Sequence, residues 1–129
     1  MVKVLFDTNI LIDYLNGVED AAKEIGRYRE KAISLITWME VMTGATDQDE
    51  PVIKGFLAQF DLLPIDDTVA AEAVAIRRTR RIKLPDAIIL ASARITHRLL
   101  ITRNTKDFPA GADIDVRMPY QFPYTNPSP

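Results

Sequence analysis

Short apolar runs that favour β-strands alternate with helical segments along most of this chain. The runs occupy residues 2–6, 32–36, 62–65, 99–102 and 114–116, and the last is the weakest. A chain that alternates strands with helices folds as an α/β domain, because each helix returns the chain to the start of the next strand. We therefore predict a three-layer α/β/α sandwich with a mainly parallel sheet of four to five strands.

Capping residues and apolar spacing delimit the predicted helices. They cover residues 10–15, 20–30, 51–60 and 68–82, with further helices starting at Thr37 and Pro85. Asp20 is the expected N-cap of the second helix. Thr37 and Glu40 have the spacing of a capping box, which would begin the third helix. Pro64 places the third strand at an edge of the sheet, since proline cannot donate to a central ladder.

The helix that starts near Pro85 is apolar nearly all round, as expected of a buried element. Pro85 suits the first helical position, where its missing N–H is not needed. Asp86 is the only acid among the ten residues from Leu84 to Ala93. An acid in a first turn is favoured by the helix dipole, so a structural explanation is available. The same position would also let Asp86 line a cleft that binds a metal.

Three further acids follow predicted strands. Asp7 comes directly after the first strand, Glu40 lies one helical turn past the second, and Asp107 lies just past the fourth. Ligand sites in open α/β sheets lie at the carboxyl ends of the strands. The topology therefore predicts that these three acids meet Asp86 at one edge of the sheet.

Each acid taken alone also has a structural explanation, as an N-cap, a capping-box member, a dipole partner or a turn residue. Gathered together, carboxylates raise one another's pKa, and such a cluster persists mainly when a cation neutralises it. The chain has no cysteine and a single histidine, His97. Any metal would therefore have oxygen ligands, which favours Mg²⁺ or Mn²⁺ and the chemistry of phosphoryl transfer.

Four segments in this order resemble the successive motifs of the PIN domain family, with the closest likeness to VapC-type toxins of toxin–antitoxin systems. They are Asp7-Thr8-Asn9, Thr37-Trp38-Met39-Glu40, the segment from Leu84 to Ala93 and the segment from Thr102 to Phe108. The resemblance implies an Mg²⁺- or Mn²⁺-dependent endoribonuclease with Asp7, Glu40, Asp86 and Asp107 as its catalytic metal ligands. Thr102 and Asn104 match the polar positions that support the acidic cluster in this family.

The resemblance also implies partners. Family members usually form homodimers and are inhibited by a cognate antitoxin, which binds operator DNA through its own DNA-binding part. RNA is the implied substrate, with tRNA as a guess from the family. Thr8 is a further candidate, since its hydroxyl could orient a ligand, although helix capping explains it equally well.

Basic residues are candidates for contacts with RNA phosphates, although a formal net charge of −2 does not indicate a nucleic-acid binder. Arg77, Arg80 and Arg81 belong to a dense basic run that could equally be a solvated helix C-terminus. Arg103 lies beside the predicted acidic edge and is the best individual candidate.

We expect one nuclease domain over residues 1–118 and a proline-rich tail over residues 119–129 that is extended or disordered. Cleavage should then survive removal of the tail. We predict neither a signal peptide nor a membrane span, which implies a cytoplasmic protein.

Two other functions stay open: a non-catalytic PIN-like module that binds RNA or protein, and phosphoryl transfer through an aspartyl-phosphate on Asp7. The second would require another Asp where this chain has Asn9.

Overall fold

A computed structural model describes residues 2–108 and 114–121 of the chain. In chain order its elements are β1 (Lys3–Phe6), α1 (Thr8–Leu15), α2 (Glu19–Gly26), β2 (Glu30–Ser34), α3 (Leu35–Thr43), α4 (Glu50–Leu57), β3 (Asp61–Leu63), α5 (Asp67–Thr79), α6 (Leu84–Thr96), β4 (Leu99–Ile101) and β5 (Val116–Arg117).

The strands form one parallel sheet in the order β3-β2-β1-β4-β5. β1 is central, and its Val4 pairs with Lys31 of β2 on one side and Leu99 of β4 on the other. Val4, Leu5 and Phe6 are fully buried, as expected for a parallel strand with both faces covered. The predicted α/β/α sandwich is confirmed.

Two apolar clusters cover the two faces of the sheet. One joins Val4, Phe6 and Ile101 to buried residues of α1 through α4. The other joins Leu5 and Leu100 to α5 and α6. Alternate residues of β1 therefore point into different clusters, which is the period of a strand. This arrangement brings the N-termini of α1 and α6 to the same edge of the sheet.

The start of α3 differs from the prediction. The helix begins at Leu35, and the hydroxyl of Ser34 caps it by accepting from the backbone N–H of Ile36. The capping box predicted for Thr37 and Glu40 is wrong, because both residues already lie inside the helix. Thr37 is instead fully buried, with its hydroxyl 2.9 Å from that of Thr8. The second strand accordingly ends at Ser34, two residues before the predicted end.

The observed bounds of several other helices and strands also differ from the predicted ones. The second helix ends at Gly26, and Glu30 begins β2, whose first two residues are only partly buried. Asp20 does not cap α2, because the helix begins one residue before it. β3 lies at the edge as predicted but ends at Leu63, before Pro64. α5 ends at Thr79; β5 covers Val116–Arg117 and so begins two residues later than predicted.

The C-terminal segment, defined as residues 114–121, packs against the domain beyond the predicted boundary at residue 118. Tyr120 contacts the cluster that includes Phe6 and Ile101, and its hydroxyl donates to Asp13 at 2.8 Å. The remainder of the predicted tail, residues 122–129, lies outside the described residues. Within the described part of the chain, every helix is too short or too polar to cross a membrane.

Candidate active site

One cavity of about 420 Å³ opens at the carboxyl edge of the sheet. Its lining residues are Asp7, Thr8, Asn9, Ile12, Glu40, Lys83, Pro85, Asp86, Asn104 and Asp107. The topology thus brings together the four predicted acids, although they come from positions spread over a hundred residues of sequence. Thr8 and Asn104 line the same cavity, and Thr102 contacts it from behind through Asp7.

Asp7 is the most buried acid of the cavity, with 4% of its surface exposed. It caps α1: one carboxylate oxygen accepts from the backbone N–H of Thr8 at 2.7 Å, and the other from the hydroxyl of Thr102 at 2.7 Å. Burial raises the pKa of Asp7 to about 6, and repulsion from Asp86 and Glu40 adds to the rise. The hydrogen bonds from Thr102 and Thr8 oppose it.

Glu40 lies in the second turn of α3 and is exposed on the cavity rim. The hydroxyl of Thr8 donates to its Oε1 at 2.7 Å. Since α3 begins at Leu35, this contact arises from the meeting of two helix N-termini rather than from a local capping motif. Thr8 therefore contacts Glu40 directly, and its role in orienting a ligand stays a prediction.

Asp86 lies in the first turn of α6, as predicted. Partial burial raises its pKa, repulsion from Asp107 and Glu40 raises it further, and the nearby ammonium of Lys83 opposes the rise. Asp107 is held by Asn104, whose amide donates to the Asp107 carboxylate at 3.0 Å and accepts from its backbone N–H at 3.3 Å. The carboxylates that line the cavity are therefore close enough for their negative charges to repel one another.

The donor set fits a hydrated, hard divalent cation. Among residues 2–108 and 114–121, no three acids are arranged to ligate one ion directly. Mg²⁺ usually keeps several waters and is held by one or two carboxylates, so a direct cage is not required. The acidic side chains in the lining offer oxygen atoms as charged ligands. The histidine of the chain, His97, does not join them, because it is the C-cap of α6 and lies at the other end of that helix. Mutual repulsion of the carboxylates is the physical reason that a cation would be favoured here.

The predicted basic contacts are not in the cavity lining. Arg77 lies in the last turn of α5, and Arg80 is the C-cap residue of that helix, followed by Arg81. The guanidinium of Arg103 forms a bidentate pair with Asp13, at 2.6 and 3.1 Å, which a phosphate would have to displace.

Lys83, the last residue of the dense basic run that begins at Arg77, is the basic residue that lines the cavity. It is the exposed residue at the N-cap position of α6, three residues before Asp86. The spacing between Lys83 and Asp86 could have predicted this position from the sequence, because a residue at the start of a helix faces the same edge of the sheet as an acid in its first turn.

Comparison with known proteins gives consistent likenesses. The family model of the PIN domain matches residues 4–113. A tRNA(fMet)-specific endonuclease VapC from Shigella flexneri is 29% identical over 120 residues, covering 84% of this chain and 91% of that protein.

Two solved structures share the fold. A chain in a toxin–antitoxin complex from Klebsiella pneumoniae is 44% identical with a TM-score of 0.86, and the match covers 93% of this chain and all of that one. A chain of DNA-bound VapBC from Salmonella typhimurium is 23% identical with a TM-score of 0.78, covering 91% and 98% of the two chains. The second likeness concerns the fold alone.

Proposed function

The chain belongs to the PIN domain family, and we propose that it is a VapC-type toxin that acts as an Mg²⁺- or Mn²⁺-dependent endoribonuclease. The observation that carries the proposal is the single cavity in which Asp7, Glu40, Asp86 and Asp107 face one another. The likeness to an endonuclease from Shigella flexneri supports the reaction class. The likeness to a chain of a toxin–antitoxin complex supports the biological setting.

Asp7 and Asp86 would ligate the metal directly, because burial and repulsion disfavour their uncompensated charge, and Glu40 and Asp107 would hold it through its bound waters. A bound divalent ion supplies Lewis-acid stabilisation to the phosphodiester and to the water that attacks it. Thr102 and Thr8 keep the carboxylate of Asp7 oriented through hydrogen bonds of 2.7 Å. Fixed orientation matters because catalytic groups act only from a narrow range of positions.

Two polar residues of the chain would complete the site. Asn104 holds the carboxylate of Asp107 and so sets its direction toward the cavity. Lys83 offers an exposed ammonium on the same lining, where it would contact a phosphate of the bound RNA. An ammonium opposite a phosphate also offsets part of the repulsion between the RNA and the acids.

Transfer RNA is our proposed substrate class, because the Shigella flexneri relative is named for it. A cognate antitoxin would be the protein partner, and operator DNA would be bound only through it. A homodimer and a cytoplasmic location stay predictions from the family resemblance.

The phosphatase-like alternative is disfavoured by the surroundings of Asp7. An aspartyl-phosphate mechanism of this kind requires a second acid two residues after the nucleophilic aspartate. Asn9, which stands where that chemistry needs a second acid, donates to Asp7 at 3.3 Å instead.

Cleavage of a purified tRNA pool tests the proposal. The protein is assayed with Mg²⁺, with Mn²⁺ and with EDTA, beside Asp86→Asn and the matched control Asp67→Asn. Asp67 is also an acid in the first turn of a thirteen-residue helix, but it does not line the cavity. We expect discrete fragments that require metal, vanish in Asp86→Asn and persist in Asp67→Asn. Cutting that survives Asp86→Asn would contradict the proposed site, and metal binding without cutting would favour the non-catalytic binding module.

A further inference from the structure

A second buried acid, Asp13, lies behind the cavity and is not part of its lining. It belongs to α1, and 3% of its surface is exposed. Its carboxylate accepts from Arg103 Nε at 2.6 Å, from Arg103 Nη2 at 3.1 Å and from the hydroxyl of Tyr120 at 2.8 Å. Removing an ion pair from water costs free energy. A buried bidentate pair is therefore stable only when the surrounding residues hold both groups in a fixed geometry.

Arg103 connects Asp13 to the loop of residues 102–108, which carries part of the site. Its two neighbours both serve the acids: Thr102 donates to Asp7 at 2.7 Å, and Asn104 donates to Asp107 at 3.0 Å. The backbone N–H of Asn104 in turn donates to the hydroxyl of Thr102 at 2.9 Å. The guanidinium therefore anchors this loop between the two residues that orient the carboxylates.

Tyr120 reaches the same carboxylate from the C-terminal segment. That segment runs beside the start of the loop, where the backbone N–H of Thr102 donates to the carbonyl of Arg117 at 3.1 Å. Tyr120 donates to the Asp13 oxygen that also accepts from Arg103 Nε. The C-terminal segment thus meets the loop twice, once through the backbone and once through Asp13.

We propose that Asp13, Arg103 and Tyr120 form a positioning clasp through which the C-terminal segment holds the 102–108 loop in its catalytic arrangement. This inference rests on the proposed function, because it assigns these residues to the same reaction. They are positioning residues, since they touch other side chains rather than the substrate. If the clasp loosens, Asn104 shifts and the carboxylate of Asp107 loses its direction.

Tyr120→Phe, compared with Tyr28→Phe, is the main test. Tyr28 is a close match, because its hydroxyl donates to the buried acid Glu24 at 3.0 Å and its ring packs against the same apolar cluster. Within residues 2–108 and 114–121, the hydroxyl of Tyr28 bonds to Glu24 and not to the loop of residues 102–108. The two substitutions should therefore lower stability by similar amounts. Only Tyr120→Phe should lower kcat, by roughly tenfold, with KM for RNA nearly unchanged.

Arg103→Lys separates the clasp from a direct phosphate contact. Lysine keeps the charge but cannot form the bidentate pair with Asp13. The clasp predicts a fall in kcat with an unchanged salt dependence of RNA binding. A phosphate contact instead predicts that lysine, which still neutralises the phosphate, preserves both kcat and the salt dependence of RNA binding. That result would overturn the role of Arg103 in the clasp.

Hydrogen exchange of the peptide covering residues 102–108, measured in EDTA, provides a readout independent of activity. The clasp predicts faster exchange in Tyr120→Phe than in Tyr28→Phe or the unaltered protein. Equal exchange and equal kcat per folded molecule in the two variants would overturn the proposal. If the unaltered protein cuts no RNA, the proposed function fails, and the exchange comparison still decides whether Tyr120 holds the loop.

Discussion

Replacing Asp7 with asparagine should stabilise the metal-free protein near neutral pH, although Asp7 caps a helix and accepts several hydrogen bonds. Burial raises the pKa of this carboxyl from 3.8 to about 6. The folded protein therefore binds a proton that the unfolded chain has already released between those two values. Above this window the folded state must hold a charged, buried carboxylate, which reduces its stability.

The magnitude follows from the shift of roughly two pKa units, since each unit corresponds to about 1.36 kcal/mol. Ionisation of Asp7 thus costs about 3 kcal/mol of folding stability once the pH exceeds 6. Asparagine avoids this cost, keeps an oxygen for the backbone N–H of Thr8 and disturbs the contact with Thr102. Losing one such hydrogen bond costs about 1 kcal/mol. A net gain of about 2 kcal/mol is expected at about pH 8.

Urea unfolding in EDTA at several pH values between about 4 and 8 measures this effect. The matched control is Asp66→Asn, because Asp66 is another N-cap acid, accepting from the N–H of Val69 at 2.9 Å outside the cavity. Asp7→Asn should gain stability relative to the unaltered protein as the pH rises, whereas Asp66→Asn should show no such gain. Added Mg²⁺ or Mn²⁺ should stabilise the unaltered protein. The difference in unfolding free energy between it and Asp7→Asn should then shrink or change sign.

Parallel pH curves for Asp7→Asn and the unaltered protein would refute the reasoning. Such a result would mean that the folded state carries the charge on Asp7 without cost, and that the cavity does not need a cation to compensate it. A large loss of stability at all pH values would instead assign Asp7 a mainly structural role as the cap of α1.

Two further predictions concern residues around the cavity. Lys83→Gln should weaken RNA binding several-fold and reduce the slope of log K against log salt by about 0.7, whereas Lys23→Gln, on the exposed side of α2, should change neither. Unaltered binding in both variants would remove Lys83 from the RNA contacts. Deleting residues 122–129 should leave kcat unchanged. Deleting residues 119–129, which the sequence alone predicted to be harmless, also removes Tyr120 and should lower kcat as Tyr120→Phe does. Equal activity of the two truncations would show that the clasp is dispensable.

The fold was predictable from sequence because the central strands β1 and β4 are largely buried and occur as continuous apolar runs. Helix starts were less predictable, because Ser34 and Thr37 are both good caps and only three residues apart. Tertiary contacts decide between them: Thr37 is buried against Thr8, a residue 29 positions away. No local pattern contains that information.

The gathering of the four acids was predictable for a topological reason. Asp7 and Asp107 follow parallel strands, and the carboxyl ends of such strands share one edge. Side-chain directions were not predictable in the same way. Arg103 is adjacent to residues of the site, yet its guanidinium points to Asp13, which lies 90 positions earlier in the chain. Tyr120 lies in a proline-rich stretch whose composition gives no hint of the contact it makes.

The distribution of charge explains why the clasp and the cavity are separate. Two buried acids outside the cavity lining have cationic partners within the chain: Asp13 pairs with Arg103, and Glu24 pairs with Arg117 at 2.7 Å. The acids of the cavity are instead supported by hydroxyl and amide groups, which orient a carboxylate without neutralising it. Lys83 is the basic side chain among their lining residues. The chain therefore neutralises the carboxylate that holds the loop, while hydroxyl and amide groups orient the acids of the cavity, as the proposed metal site would require.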